Sequence, residues 1–316
     1  MSVEQWATLS DQAYDGAAIV LALAFIAHMV EYAASRKVAY VHEPVGAGVT
    51  SGPHPGAVTD STEPEQRASM FGRIGVALTV LGVAVLGLGV LARGTAAQRV
   101  PWGNMYEFAT TGIFLAMVIY LVLVRLQGIA WLGPLVTGFA VTVLGLSTLV
   151  HVPVGPLVPA LDSHWLVLHV VAAAIAGGAF VVGAGASAFF LVKSRAERRT
   201  PVHERHGYLW RLPSADSMDR LAYRVHAFAF PVWTFAALIA GPIWAYYAWG
   251  RFWGWDPKEV WAFITWTVYA GYLHARATAG WRGKAAAIIA LIGFVTFLFN
   301  FVGINLFGSG LHAYAF

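Results

Sequence analysis

The chain has 316 residues, of which 58% are hydrophobic and 11% charged, with no cysteine and a formal net charge of +4; its mean hydropathy is +0.64. So few charges cannot clothe a water-facing surface, because soluble domains carry about 25%, and the lack of cysteine excludes disulfides, thiolate metal ligands, iron–sulfur clusters and thiol chemistry by the chain itself. The positive balance is read first as a topology signal, with no nucleic-acid partner expected.

The first fifteen residues contain Glu4, Asp11 and Asp15 but no Lys or Arg, so they lack the basic n-region of a secretory signal and the first apolar run is expected to stay in the protein. Apolar runs at 14–35, 71–92, 107–126, 129–150, 165–192, 225–248, 260–279 and 284–306 each approach the roughly 20 residues that cross a hydrocarbon core of ~30 Å. The expected fold is an all-α polytopic membrane protein, a single membrane domain over 1–316 with about eight transmembrane helices. Lys and Arg alternate by side across these runs, sixteen on one and four on the other: Arg93, Arg99, Arg251 and Lys258. The positive-inside rule then puts both termini outside the cytoplasm, with the connection between the sixth and seventh runs.

Two connections are long. Residues 36–70 are expected to be a flexible cytoplasmic loop, because 38–68 are rich in Pro, Gly, Ser and Thr; His42 and His54 are expected to be solvated there. Residues 193–224 form a basic cytoplasmic loop whose charges can sit against anionic lipid heads, and RLPSADSMDRLAYR reads as a helix start capped by Ser214 or Asp216. No glycine-rich phosphate loop is present, which argues against an ATP-driven role for this chain alone.

The connection between the sixth and seventh runs is the most informative stretch. Eight of the eighteen residues from 244 to 261 are aromatic, and five of the thirteen tryptophans lie there. An interfacial belt spreads its aromatics around many spans, so concentration in one loop favours a platform for a flat, polarisable ligand. Arg251 and Lys258 can pair with acidic groups on its edge. Asp256 and Glu259 are expected to cap the seventh span, with Pro257 in its first turn. Histidines on the same side complete the pattern. His169 lies four residues after Trp165 and His312 just past the eighth run, and a planar apolar ligand with acidic edges and an imidazole-bound centre describes heme. His151 and His164 share that side and stay open as ligands. His274, towards the cytoplasmic end of the seventh run, is a functional candidate by its depth, which His28 and His226 share.

At these residues the chain resembles a known family. WGRFWGWD at 249–256 is similar to the WGxxWxWD signature of heme-handling membrane proteins, and PKEVWAFITW, YLHAR, NMYEF at 104–108, WLVLH at 165–169 and the ending GINLFGSGLHAYAF resemble the CcsA/ResC-type subunit of System II cytochrome c synthase. The resemblance implies a subunit of a holocytochrome c synthase, active only with its partner, that takes heme b from the cytoplasmic side and presents it to apocytochrome c. It makes His169 and His312 the external axial ligands and His274 the inner one. It also implies heme contact along the 249–261 loop, at Trp249, Gly250, Arg251, Trp253, Trp255, Asp256, Pro257 and Glu259. The implied partners are a ResB-type membrane subunit and thioredoxin-like reductants outside the cytoplasmic membrane. Tyr246 and Tyr247 depart from relatives, which tend to carry Asn-Glu before the signature. The alternatives are a System I heme-handling subunit, of the short heme-delivery type or the long ligase type, a b-type electron-transfer subunit and a transporter of an amine or aromatic substrate.

Overall fold

The computed structural model describes residues 1–37, 63–157, 159–278, 280–307 and 310–312. His42 and His54 lie outside the described residues. Helices occupy all eight expected positions: α1 (Val3–Ala34), α2 (Glu63–Ala97), α3 (Met105–Gln127), α4 (Ala130–Val150), α5 (His164–Arg199), α6 (Ala215–Trp249), α7 (Pro257–Thr278) and α8 (Lys284–Phe307). Seven are long and apolar enough to cross a membrane; α7, with 22 residues, carries Lys258, Glu259, His274 and Arg276 among tryptophans and tyrosines and is less apolar than the others. The chain is thus a multi-pass membrane protein, all-α among the described residues.

Several helices outrun their apolar stretches for local reasons. The α1 helix starts at Val3, because Ser2 and Gln5 form a capping box, the Ser2 hydroxyl accepting from the Gln5 N–H and the Gln5 side chain from the Ser2 N–H. Ser214 caps α6, accepting from the Ser217 N–H at 3.4 Å. α5 runs on to Arg199, past its apolar part.

The bundle is held by close approach of small residues. α1 packs along α2 and against α4, α5 along α6 and α3, and α8 against α7 and α5. Gly178 lets α5 meet the α3 backbone at Ala116, where an added Cβ would lie 2.7 Å from the Ala116 Cα. Such contacts gain dispersion where lipid gives no hydrophobic drive between helices. Part of the basic 193–224 stretch folds back on the protein, while Arg195, Arg198, Arg199, Arg220 and Arg224 stay exposed. Lys193 donates to the carbonyls of Leu209 and Leu212, Arg205 stands over Trp210, and Arg211 pairs with Glu31 at 3.2 Å.

Two helices change pitch. In α6, Phe235–Ala240 is a π-helical turn between Pro231 and Pro242, and in α8, Phe299–Gly303 is another. Both turns contribute to one cavity at the end of the bundle that carries the Trp-rich loop.

Candidate heme site

The Trp-rich loop is built around two carboxylates. Gly250 ends α6 in the left-handed region (φ 72°), its N–H donating to the Tyr246 carbonyl. Asp256 then starts α7: its Oδ1 accepts from the Lys258 N–H at 3.1 Å, Pro257 occupies the first turn where no donor is needed, and Glu259 Oε2 accepts from the Asp256 N–H at 3.0 Å and the Gly254 N–H at 2.8 Å. The expected capping by Asp256 and Glu259 is what forms. Trp255, just before Asp256, has φ 58° and is 70% exposed.

Asp256 has a second task. It is 6% exposed, and its carboxylate also accepts from the Leu311 N–H at 2.7 Å and from His312 Nδ1 at 2.8 Å, fastening the last described residues to the start of α7. Burial alone would raise this carboxyl, but the hydrogen bond and charge of His312 and the two backbone donors outweigh it and hold the group down at about 2.

His169 is oriented from the opposite wall. Its Nδ1 donates to the Ala236 carbonyl at 2.8 Å, an oxygen that also takes the Gly241 N–H across the π-turn. Gly241 permits this approach, since a Cβ there would meet His169 Nδ1 at 3.0 Å. Both histidines therefore commit Nδ1 to an oxygen acceptor, which puts the lone pair on Nε2, the arrangement that orients metal-bound imidazoles. Both pack on one indole: the Trp244 ring centroid lies 6.1 Å from His169, nearly parallel, and 5.7 Å from His312, which also contacts Trp249 at 5.0 Å.

His169 and His312 line a cavity of about 170 Å³, walled by Trp233, Trp244, Trp249 and Trp253. Lys258 and Glu259 complete its charged lining, and Asn300 on the α8 π-turn has a buried Oδ1 without a hydrogen-bond partner among the described residues. Among those residues no cluster of three or more His, Asp or Glu could hold a bare metal ion. Two Nε2-presenting imidazoles with indole walls fit an iron that brings its own planar ligand.

A buried charge cluster fixes the wall at 101–105. Glu107 accepts from Arg93 Nε at 3.0 Å, Arg99 Nη1 at 2.7 Å and the Gly103 N–H at 2.8 Å, while Asn104 caps α3. Glu107 and Arg93 are both fully buried.

Not every expected residue gathers here. Arg251 is exposed and folds over Gly254, outside the cavity lining, as is Trp255. His151 pairs with Asp11 at 3.4 Å and His164 is exposed at the start of α5. His274 sits exposed near the other end of α7, two residues before Arg276, which pairs with Asp219. His28 and His226 are core residues, next to Glu31 and bonded to the Ala222 carbonyl respectively. The sequence does not single out Trp233 or Asn300, and it gives Trp244 only as one of the eight aromatics of the loop. The Pro231 and Gly241-Pro242 pair inside the sixth run was the available signal.

Comparison with known proteins bears on the same region. Residues 102–312 match the family described as "Cytochrome C assembly protein". The chain is similar to proteins named cytochrome c biogenesis protein CcsA. The one from Guillardia theta is 33% identical over 261 residues, covering 76% of this chain and 85% of that one. The one from Crocosphaera subtropica is 33% identical over 299 residues, covering 77% and 87%. The Chlamydomonas reinhardtii protein is 42% identical over 161 residues, but that match spans 43% of its length. A solved structure of "Cytochrome c Heme Lyase CcmF" superposes with a TM-score of 0.61 at 17% identity, covering 98% of this chain and half (50%) of the other, so the fold is shared.

Proposed function

Because the chain belongs to the cytochrome c assembly protein family, we propose that its part in cytochrome c biogenesis is to hold heme b, as a substrate in transit, between His169 and His312, and to present it to apocytochrome c. The observation that carries this reading is the shared tautomer: both imidazoles have Nδ1 engaged, by Asp256 and Ala236, on the lining of one indole-walled cavity. The 249–261 loop is then the heme-binding loop. Trp249 and Trp253 offer stacking surface, while Gly250, Asp256, Pro257 and Glu259 hold the loop's shape and Arg251 and Trp255 lie at its outer rim.

Heme supplies two vinyl groups and an iron. Each apocytochrome thiol adds its S–H across one vinyl double bond, so no leaving group departs, and no side chain here needs to serve as a general base. The chain's work is positional. The Ala236 carbonyl and Asp256 keep the imidazoles aimed, the tryptophans exclude water, and one imidazole must yield to the histidine of the substrate's Cys-x-x-Cys-His segment. His312, which lies outside the helices and is held through Asp256, is better placed to yield than His169, which is anchored inside α5.

We infer that the Trp-rich loop and both termini face outward from the cytoplasmic membrane, with 36–70 and 193–224 inside, from the sixteen-to-four distribution of Lys and Arg. His274, exposed on the inner part of α7, is read as the inner ligand, its second imidazole coming from a ResB-type membrane subunit. Without cysteine, the chain leaves reduction of the substrate thiols to thioredoxin-like proteins outside. The test is the absorption spectrum of the purified protein, alone and with its membrane partner. A bis-imidazole heme spectrum that disappears in His169→Ala and His312→Ala at unchanged protein level supports the reading; an unchanged spectrum in both rules it out.

A further inference from the structure

Lys258 stands in a position that helix stability does not favour. It is the second residue of α7, where the exposed N–H groups already concentrate positive charge and a cation in the first turn is unfavourable. Its backbone N–H is used by the cap, but its ammonium makes no hydrogen bond or ion pair among the described residues. The two carboxylates nearest in sequence are engaged elsewhere: Asp256 by His312 and Leu311, Glu259 by the Gly254 and Asp256 N–H groups. The side chain instead lines the cavity that holds His169 and His312, where it is the one cation among the described lining residues. Arg251, the other external cation of the loop, lies outside that lining.

We propose that Lys258 is the specificity-determining residue of this cavity, binding a carboxylate on the edge of the planar ligand and so fixing which edge of the macrocycle faces inward. The inference rests on the heme reading of the site. Once two imidazoles hold the iron, the macrocycle can still turn about the axis through them, and aromatic walls resist that rotation only weakly because stacking is tolerant of in-plane angle. A single ammonium on the wall of a cavity lined mainly by tryptophan and other apolar side chains removes this freedom, since charge-assisted hydrogen bonds are short and directional. In protoporphyrin the two propionates occupy adjacent pyrroles and the two vinyls the opposite pair. An acidic edge drawn to Lys258 therefore turns the vinyl edge away from it, and the reactive positions are set by a residue that touches neither of them.

The test compares two ligands that differ only at the acidic edge: ferric protoheme and its dimethyl ester, titrated into the full-length protein purified with its membrane partner after removal of endogenous heme. The wild-type protein is expected to bind the diacid on the order of tenfold more tightly than the ester, as a desolvated charge pair warrants. Lys258→Gln should reduce that ratio to about one while leaving ester affinity and the bis-imidazole spectrum unchanged, and Lys258→Arg should restore part of the preference. Equal binding of acid and ester by wild type, which needs no variant to fold, overturns the proposal, and so does an undiminished preference in Lys258→Gln. If wild type binds neither ligand through His169 and His312, the heme reading itself fails and this inference falls with it. A preference lost with the spectrum intact separates the two.

Discussion

His169 Nδ1 stands 2.8 Å from the carbonyl oxygen of Ala236, and this contact joins the start of α5 to a π-turn in α6. A regular α-helix would direct that carbonyl to the N–H four residues on; in the π-turn it faces Gly241 and the imidazole together. The orientation of the candidate ligand thus depends on a backbone irregularity, which leads to the first expectation.

Replacing His169 by Gly should remove heme from the external site and abolish cytochrome c maturation without affecting membrane insertion. Added imidazole should restore part of the heme, because it can occupy the vacated space beside Trp244. Heme content per protein measures both. Retention of full heme and maturation by the unsupplemented variant would remove His169 from the ligand set.

Asp256→Asn tests the other ligand's support. The native carboxyl is held at about 2, below its ordinary 3.8, so its stabilising contribution is complete above pH ~4 and is lost as pH falls from there towards 2. The Tm difference between wild type and variant should be constant from neutral pH to about 5 and should shrink below 4. A difference that instead grows on acidification would contradict the assignment.

Glu107→Gln should be the most destabilising of these changes. It leaves Arg93 buried without its carboxylate, and breaking a buried ion pair by removing one partner costs roughly 3–5 kcal/mol. Thermal unfolding of detergent-solubilised protein measures this, and loss of heme should follow because Gly103 and Asn104 line the cavity.

The tryptophans of the loop should separate by position. Trp249→Ala and Trp253→Ala remove cavity wall, each forfeiting aromatic contact worth about 0.5–1.5 kcal/mol beyond burial, and heme retention should fall in steps. Trp255→Ala, at the exposed rim, should retain heme near the wild-type level. Equal loss in all three would show that the loop binds as one surface.

His274→Ala, made alongside the partner subunit, should deplete the external heme although His169, His312 and the loop are unchanged, if heme reaches the outer site by way of the inner one. Measured heme content equal to wild type would take His274 out of the route.

Much of this was legible in the sequence, and the remainder was hidden for physical reasons. Apolarity located every span but misplaced helix starts, because α1 begins at a polar capping box eleven residues before its apolar run and α2 at Glu63 instead of 71. Position in the sequence pointed to the loop and to four histidines on its side, His151, His164, His169 and His312, and only the family resemblance chose His169 and His312 among them; capping rules gave Asp256, Pro257 and Glu259. Arg251 and Lys258 looked alike in sequence; only the fold of the loop, with Arg251 laid over Gly254, sends one outward and leaves the other in the cavity. Trp244 was counted as one aromatic among eight, although it is the ring both histidines share.

The π-turn in α6 also constrains chain length. A turn closed by a bond five residues on holds one residue more than a turn of α-helix. Deleting one residue from 235–240 would therefore restore a regular helix and leave Trp244 and Trp249 near their present face, but it would return the Ala236 carbonyl to its own helix and take the acceptor from His169. A relative one residue shorter in this turn would be expected to keep every residue of its signature and lose the bond that orients its external imidazole.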